Sequence, residues 1–449
     1  ALASISGDPT MTPMDDLALK TVPGQLAIET DSASPDDWTV EDPMTWYIRA
    51  NALSLADGTM NITAIEGIDD DFDITGEDAP VWTFALALFI KEWSDASYDY
   101  ISFKTAAAEG YAADAGDVDP NGNKRDLTWH PTFPGGLNSQ GALTSGANRA
   151  PYIFKSANDG IAAARLMDAY EGLWTDCDSR WLLRMWQLRH WNLENSGIAE
   201  GCTNYNFDYT PALAETNVTR VLLTAAQAAN LIVGSCVMLS TSSRGGTTVV
   251  IAKIASKEEV TISETSYTAI NLDTTTAFTT TTSQHLCTVA YFSGATEALP
   301  GHADGCFGGT LTDGKGPLRV AGVECLDGAY SLGLDPLYNC TAGSDGNKFD
   351  YAVYECKDSE KQAGSITSDY ENTGITFTDM PKSWQYVKKF VRTTKGILFP
   401  EVIGGSSTTY VKSAFAGTGS AGVRSPWRFG TLYYGANAGL ACEAGNTAP

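Results

Sequence analysis

The residues able to do chemistry are scattered. Four histidines, at 130, 190, 285 and 302, lie in unrelated segments, and none has a second His or Cys at the spacing of a zinc site. Asp69, Asp71 and Asp73 alternate as the start of a calcium-binding EF-hand loop does, but Ile74 stands where that loop needs glycine and Pro80 where it needs a bidentate glutamate. A solvated acidic loop is the better expectation. Gly417, Gly419 and Gly422 satisfy the dinucleotide-binding glycine spacing, yet Val423, Arg424, Ser425, Pro426 and Trp427 cannot begin the helix whose amides would hold a pyrophosphate. The sequence contains no GxSxG elbow, Walker lysine loop or HExxH. No catalytic residue, metal or cofactor is therefore expected, and the chain is read as a non-enzyme.

The last fifty residues carry a different chemistry. Trp427, Arg428, Phe429, Tyr433, Tyr434, Asn437, Glu443 and Asn446 crowd among small residues. Tyr, Trp and Arg supply large rigid contact area at little entropic cost, while Ser, Gly and Asn add adaptable hydrogen bonding, as in a paratope. Some of these rings belong equally well to a core, Trp427 and Phe429 above all.

A platform must position such a surface. The chain has 449 residues, enough for two or three domains with a substantial interior. Its 43 glycines, abundant Thr, Ser and Asn, and few helical periods predict short strands joined by long loops. Lys and Arg total 29 against 54 acidic residues, a formal charge of −25, so nucleic acid and anionic lipid are poor partners. No apolar run of about 18 residues is present, and Ala1 to Asp8 are neither basic nor hydrophobic, which predicts neither a membrane span nor a retained secretion signal. A start at Ala1 fits loss of an initiator methionine or a longer parent chain. Nine cysteines without a CxxC pair are expected to be reduced, buried and apolar in a protein made in bacterial cytosol.

Residues 1–35, with Pro23, Gly24 and Pro35, suit an extended arm that docks on something else. Residues 36–135 predict a small β-rich domain: Trp46 to Leu55, a turn at Asp57 and Gly58, Asn61 to Glu66, then a strand from Val81 to Trp93 too continuously apolar to face water on either side. Residues 136–449 follow. Ser156 and Asp159 form a capping box ahead of Ala162, Leu166, Ala169, Tyr170 and Leu173 at helical spacing. A second helix from Asp178 through Trp181, Leu182, Met185, Trp186, Leu188 and Leu193 is apolar around so much of its circumference that it must be buried. Residues 217–300, β-branched and broken by Gly, Ser and Asn, predict an inserted barrel-like or sandwich-like module.

Several ordered motifs in residues 150–449 resemble the variable proteins of diversity-generating retroelements, in particular phage-encoded members from gut bacteria. Trp186 to Gly201 (WQLRHWNLENSGIAEG) is similar to the family's second helix and the turn after it. Residues 319–328 (RVAGVECLDG) are similar to its R-x-x-GIE-x-L-x-G segment, with Gly322, Val323, Glu324, Leu326 and Gly328 in place. Gly404 to Tyr410 resembles its GGSS-T-x-Y segment, and Gly430 with Gly435 to Leu440 (GANAGL) its variable-region core.

The resemblance implies an α+β, β-rich chain ending in a C-type-lectin-like domain of the formylglycine-generating-enzyme type. It implies that Leu432, Tyr433, Tyr434, Asn437, Ala441, Glu443 and Asn446, with Trp427 and Arg428 beside them, form an exposed, diversifiable ligand-binding face. Gly435, Ala438 and Gly439 would be scaffold. Two departures stand out: Ala329 to Tyr338 replaces a tryptophan-rich segment, and the family's closing Arg-Leu strand does not occur before Pro449, as though the chain continued. The implied function is a phage tail-fibre or tail-tip receptor-binding protein, a homotrimer on the virion that contacts other tail proteins and a host bacterial surface molecule. A bacterial adhesin with the same domain would need a lipobox or secretion signal. A capsid decoration protein would bury the aromatic cluster at a subunit contact, and a formylglycine-generating enzyme would need a redox-active cysteine pair where only Cys442 lies beyond Cys356.

Overall fold

The computed structural model describes residues 2–3, 11–12, 19–22, 25–27 and 47–449, less 95–98, 120–121, 191, 193, 302, 327, 329–330, 333, 393–397, 407–412 and 447. The fold is β-rich with several antiparallel sheets, and helix is a minor component. No described helix is long and apolar enough to cross a membrane.

A four-stranded antiparallel sheet is built in the spatial order Leu127–Pro131, Val81–Leu86, Tyr47–Ser54 and Met60–Ile65. Its first hairpin turns where the sequence predicts: Gly58 adopts φ +75°, and the Asp57 carboxylate accepts the Thr59 amide at 3.0 Å. The apolar stretch from Val81 is two strands rather than one, Val81–Leu86 and Phe89–Ser94, each in its own sheet. The break has a local cause. The Ala87 amide donates to the Asp126 carbonyl at 3.1 Å and the Leu88 amide to the buried Asp117 carboxylate at 3.2 Å, so neither continues a ladder. Part of the expected N-terminal arm, Leu19–Val22 and Gln25–Ala27, is a hairpin paired with Asp99–Lys104, so there it extends the chain's own sheet. Leu2–Ala3 pairs with Met11–Thr12, and the remaining residues of 1–46 lie outside the described residues.

Helix α1 (Ala157–Ala164) begins on the expected capping box: Ser156 Oγ accepts the Asp159 amide, and Asp159 in turn accepts the Ser156 amide. It stops sooner than the periodicity predicts. After Ala164 the chain tightens into i→i+3 turns, the Leu166 amide donating to Ala163 O at 3.3 Å and the Met167 amide to Ala164 O at 2.9 Å, and an Asx turn at Asp168 follows; Leu166 is 67% exposed. Helix α2 (Asp176–His190) is buried along most of its length, as its all-round apolarity requires. Leu193, expected in this helix, lies outside the described residues.

Helix α2 is the axis of the main core. Leu182, Trp186 and Leu188 pack with Val320 and Val323 of a three-stranded sheet, with Phe415, Phe429 and Leu440 from the C-terminal segments, and with Tyr47, Ala85, Leu88 and Phe103 from the N-terminal sheets. The blocks expected at 36–135 and 136–449 thus share one interior. The inserted module seals its own: Val221, Leu223, Val237, Leu239, Ile254, Ile270 and Leu286 face inward from strands spanning Arg220 to Thr288, joined by Asp208–Tyr209. Its longest strand, Gly245–Ile262, pairs with Cys236–Ser242 at one end and Thr265–Leu272 at the other, with a register shift between Ile254 and Ser256 where it bends. The Ala212 amide donates to Leu222 O at 2.8 Å and draws the two sheet edges together, a barrel-like arrangement.

The C-terminal region ends in a four-stranded sheet (Glu371–Pro381, Lys348–Glu355, Pro336–Ala342, Gly422–Arg424) and a six-stranded one (Ser331–Leu332, Trp427–Arg428, Glu443–Ala444, Ala414–Ala416, Trp384–Arg392, Leu398–Ile403). Gly422 therefore opens a strand, as expected, and not a nucleotide-binding helix. All nine cysteines are free thiols, eight of them buried and Cys177 half-buried.

Candidate functional site

Trp427–Arg428 and Glu443–Ala444 lie antiparallel as neighbours, with Arg428 opposite Glu443, and the fourteen-residue excursion between them forms the site. Its base is a buried ionic network. Arg428 is fully buried, and its Nε donates to Asp176 at the start of α2 at 2.6 Å. Its Nη1 donates to Glu443 Oε2 at 2.9 Å, while the Tyr338 hydroxyl donates to Glu443 Oε1 at 2.9 Å. One guanidinium cannot neutralise two ionised carboxylates, so burial favours a proton on one of them. Burial pushes the Glu443 carboxyl up to about 7 against the opposing pull of Arg428. The guanidinium itself stays charged, held by Asp176 and Glu443.

Above that base the backbone is tied at each step. Phe429 and Gly430 take left-handed conformations (φ +72° and +90°) that lift the chain off the sheet. The Leu432 amide donates to Gly328 O at 3.2 Å, the Tyr205 amide to Leu432 O at 2.8 Å, and the Gly435 amide to Thr203 O at 2.8 Å. Asn195 Oδ1 accepts the Leu440 amide at 2.6 Å, while Ser413 Oγ donates to neighbouring Glu194 at 2.8 Å. Gly439 is required there: a Cβ would lie 2.1 Å from Ser413 Oγ. Gly435 is required for a different reason, its φ of +52°, since a Cβ there would meet nothing within 4 Å. Two of the other resembling segments reach the loop, through Asn195 and through Gly328. Glu324, 3% exposed, accepts the amides of Gly294 and Thr296 at 2.9 and 2.8 Å, and a Cβ on Gly322 would lie 2.4 Å from the Tyr47 ring.

The expected exposed face is only partly exposed. Tyr433 stands out at 57% exposure, Asn446 is exposed, and Trp427, Tyr434 and Asn437 are half-buried. Arg428, Leu432, Ala441 and Glu443 are buried and do not belong to an open face. Arg428 and Glu443 neutralise each other across paired strands, Leu432 fills a pocket with Cys202, Tyr205 and Tyr291, and Ala441 packs in the main core. Phe429, 1% exposed, is core, edge-on to Trp174 at 5.6 Å.

The exposed part is an aromatic ladder. Tyr433 and Tyr434 meet edge to face at 5.0 Å, and Tyr434 meets Trp384 edge to face at 4.6 Å. Burial pushes the Tyr434 hydroxyl up from its ordinary value. Trp384 was not foreseen: it is far away in sequence and arrives through pairing with Ala416, and the strand's sequence distinguishes it from no other half-buried tryptophan.

Elsewhere, Asp69 accepts the Ile65 amide at 2.8 Å and Asp73 those of Thr75 and Glu77, both at 2.9 Å, so these carboxylates serve their own turn. No group of three His, Cys, Asp or Glu side chains among the described residues is placed to hold a metal ion. His130, His190 and His285 each pair with one aspartate, Asp178, Asp304 and Asp208; His302 and residues 407–412 of the GGSS-T-x-Y segment lie outside the described residues. No family model matches the chain, and neither does any curated protein.

Proposed function

We propose that the chain is the receptor-binding protein of a bacteriophage tail fibre or tail tip, a non-enzymatic adhesin whose C-terminal C-type-lectin-like domain presents the loop around Tyr433 to a host bacterial surface molecule. The observation that carries the reading is the contrast within that loop. A large ring is 57% exposed on a backbone whose neighbours are tied into the core on either side, through Leu432 to Gly328 and Leu440 to Asn195. Rigid aromatic contact area of this kind suits recognition, because little entropy is lost when it binds.

The narrower set of receptor-contacting residues is Trp427, Tyr433, Tyr434, Asn437 and Asn446, with Trp384 added. Arg428, Glu443, Leu432 and Ala441 hold the platform. The charge of −25 fits a receptor other than a polyanion. In the virion the chain is a homotrimer held by other tail proteins, and trimeric display multiplies weak single-site affinity. Sequencing the DNA beside the coding region tests the class. A reverse-transcriptase gene and a near-identical repeat of the codons for residues 427–446, differing at adenines, supports it; a neighbourhood of secretion and cell-wall genes with no such repeat rejects it.

A further inference from the structure

A cleft of about 1030 Å³ runs from the outer face of the N-terminal sheet to the aromatic loop. That volume is at the upper end of the range for small-molecule sites, roughly 300–1,000 Å³. The sheet face that floors it has an unusual profile. Trp82 is paired with Ala50 and packs against the fully buried Ala50 and Ala52, so a half-buried indole is what this part of the sheet presents to the cleft. Trp82 is half-buried with its Nε1 already donating to Ala52 O at 3.1 Å, which fixes the ring. No other ring or cation is recorded over it among the described residues.

The walls supply hydrogen-bonding atoms that lack partners. Glu171, 5% exposed, lines the cleft and is hydrogen-bonded by Ser54, whose Oγ donates to it at 3.1 Å, and no basic side chain among the described residues pairs with it. Gln362 is 4% exposed with its Oε1 unpartnered, and a Cβ on Gly172 would lie 3.2 Å from that oxygen, which places it beside the Glu171 loop. Thr431, 8% exposed, has an unpartnered hydroxyl and lines the same cleft. Buried polar atoms are almost always satisfied, so these two unmatched ones, beside a carboxylate that no cation pairs, mark a ligand's place.

We infer that this cleft binds a neutral oligosaccharide, with Trp82 as the stacking platform and Glu171, Gln362 and Thr431 as hydrogen-bond partners of its hydroxyl groups. The side-chain atoms in excess are chiefly acceptors, which calls for a ligand rich in O–H donors. A polyanion is disfavoured by the chain's charge. A cation is disfavoured because the guanidinium of Arg125 already lies 4.4 Å from the centroid of Trp129, the next ring on this face. Burial pushes the Glu171 carboxyl up to about 7, so it is partly neutral at physiological pH and suited to a hydroxyl group rather than an ammonium. The site does not depend on the chain's being carried on a virion.

The test applies the purified full chain to an array bearing neutral hexose and N-acetylhexosamine oligosaccharides, sulfated and sialylated glycans, and immobilised spermine, followed by calorimetry with the best ligand. Retention of neutral glycans above the anionic ones and spermine is expected. Trp82→Ala should then weaken the calorimetric affinity at least about tenfold, and Trp82→Phe should keep most of it. Glu171→Gln, which preserves shape, should weaken it several-fold with an unchanged melting temperature. Failure of every neutral glycan to bind the folded wild-type chain, preference for spermine or a polyanion, or wild-type affinity in both Trp82→Ala and Glu171→Gln overturns the inference. Saccharide binding without host adsorption would leave the cleft standing and reject only the virion reading.

Discussion

Asn195 accepts the backbone amide of Leu440 at 2.6 Å across 245 residues of sequence, so the turn after helix α2 holds the far limb of the aromatic loop. The same side chain donates from Nδ2 to Ala199 O at 2.6 Å and is fully buried. It acts as a clamp with both of its ends in use.

Asn195→Ala leaves the Leu440 amide buried without a partner. The expected loss is about 1–3 kcal/mol, read by urea denaturation. Amide hydrogen exchange should accelerate at Leu440 and Tyr434 more than in helix α2, because the loop opens before the core does.

Arg428→Met removes the guanidinium that pairs with Asp176 and Glu443. Breaking a buried pair from one side costs about 3–5 kcal/mol, because the charges left behind have no compensation. Glu443→Gln is expected to cost far less at pH 7, since burial has raised that carboxyl to about 7 and it already holds a proton part of the time. Thermal melts of the two variants side by side check the ordering.

Stability should be greatest at about pH 4.5. Burial pushes the carboxyls of Asp117, Glu171 and Glu443 up to about 7, whereas in the unfolded chain they ionise near 4. Between those values the folded state binds protons that the unfolded state has lost, so stability falls as pH rises from about 4.5 to 7, by up to about 1.4 kcal/mol per pH unit for each group. On the acid side, Ser139 and Arg149 hold Glu77 down to about 2, and Arg189 and His190 keep Asp304 low despite its burial. Those contributions disappear below about pH 4. Melting temperatures across pH 3 to 8 trace the resulting maximum.

Gly439→Ala and Gly435→Ala separate two roles of glycine in one loop. At Gly439 the new Cβ collides with Ser413 Oγ at 2.1 Å and Glu194 Oε2 at 2.6 Å, at a φ of +147°. An overpacking cost of about 1–3 kcal/mol adds to the backbone strain there. At Gly435 only the left-handed conformation is penalised, by about 1–2 kcal/mol. Equal losses would contradict the assigned roles.

Local patterns were legible in the sequence wherever one segment sufficed to decide them. The capping box at Ser156, the buried circumference of α2, the Asp57–Gly58 turn and the strands between Arg220 and Thr288 all follow from short-range spacing. Long-range pairing was not legible. Arg428 and Glu443 look like surface residues in a polar stretch, and only strand pairing together with the N-terminus of α2 reveals that they neutralise one another in the interior. Trp384 joins Tyr434 for the same reason, through a sheet whose register no local pattern encodes. The end of α1 was misjudged because its last turn tightens to i→i+3 bonds at Leu166 and Met167, a change that hydrophobic periodicity does not register.

The central claim is that Tyr433 contacts a receptor from a rigid platform without supporting the fold. The most direct measurement is adsorption of labelled full-length chain to host cells, wild type against Tyr433→Ala, with thermal melts of both. Adsorption should fall at least about tenfold while the melting temperature stays unchanged. Undiminished adsorption, or loss of folding in the variant, would contradict the account.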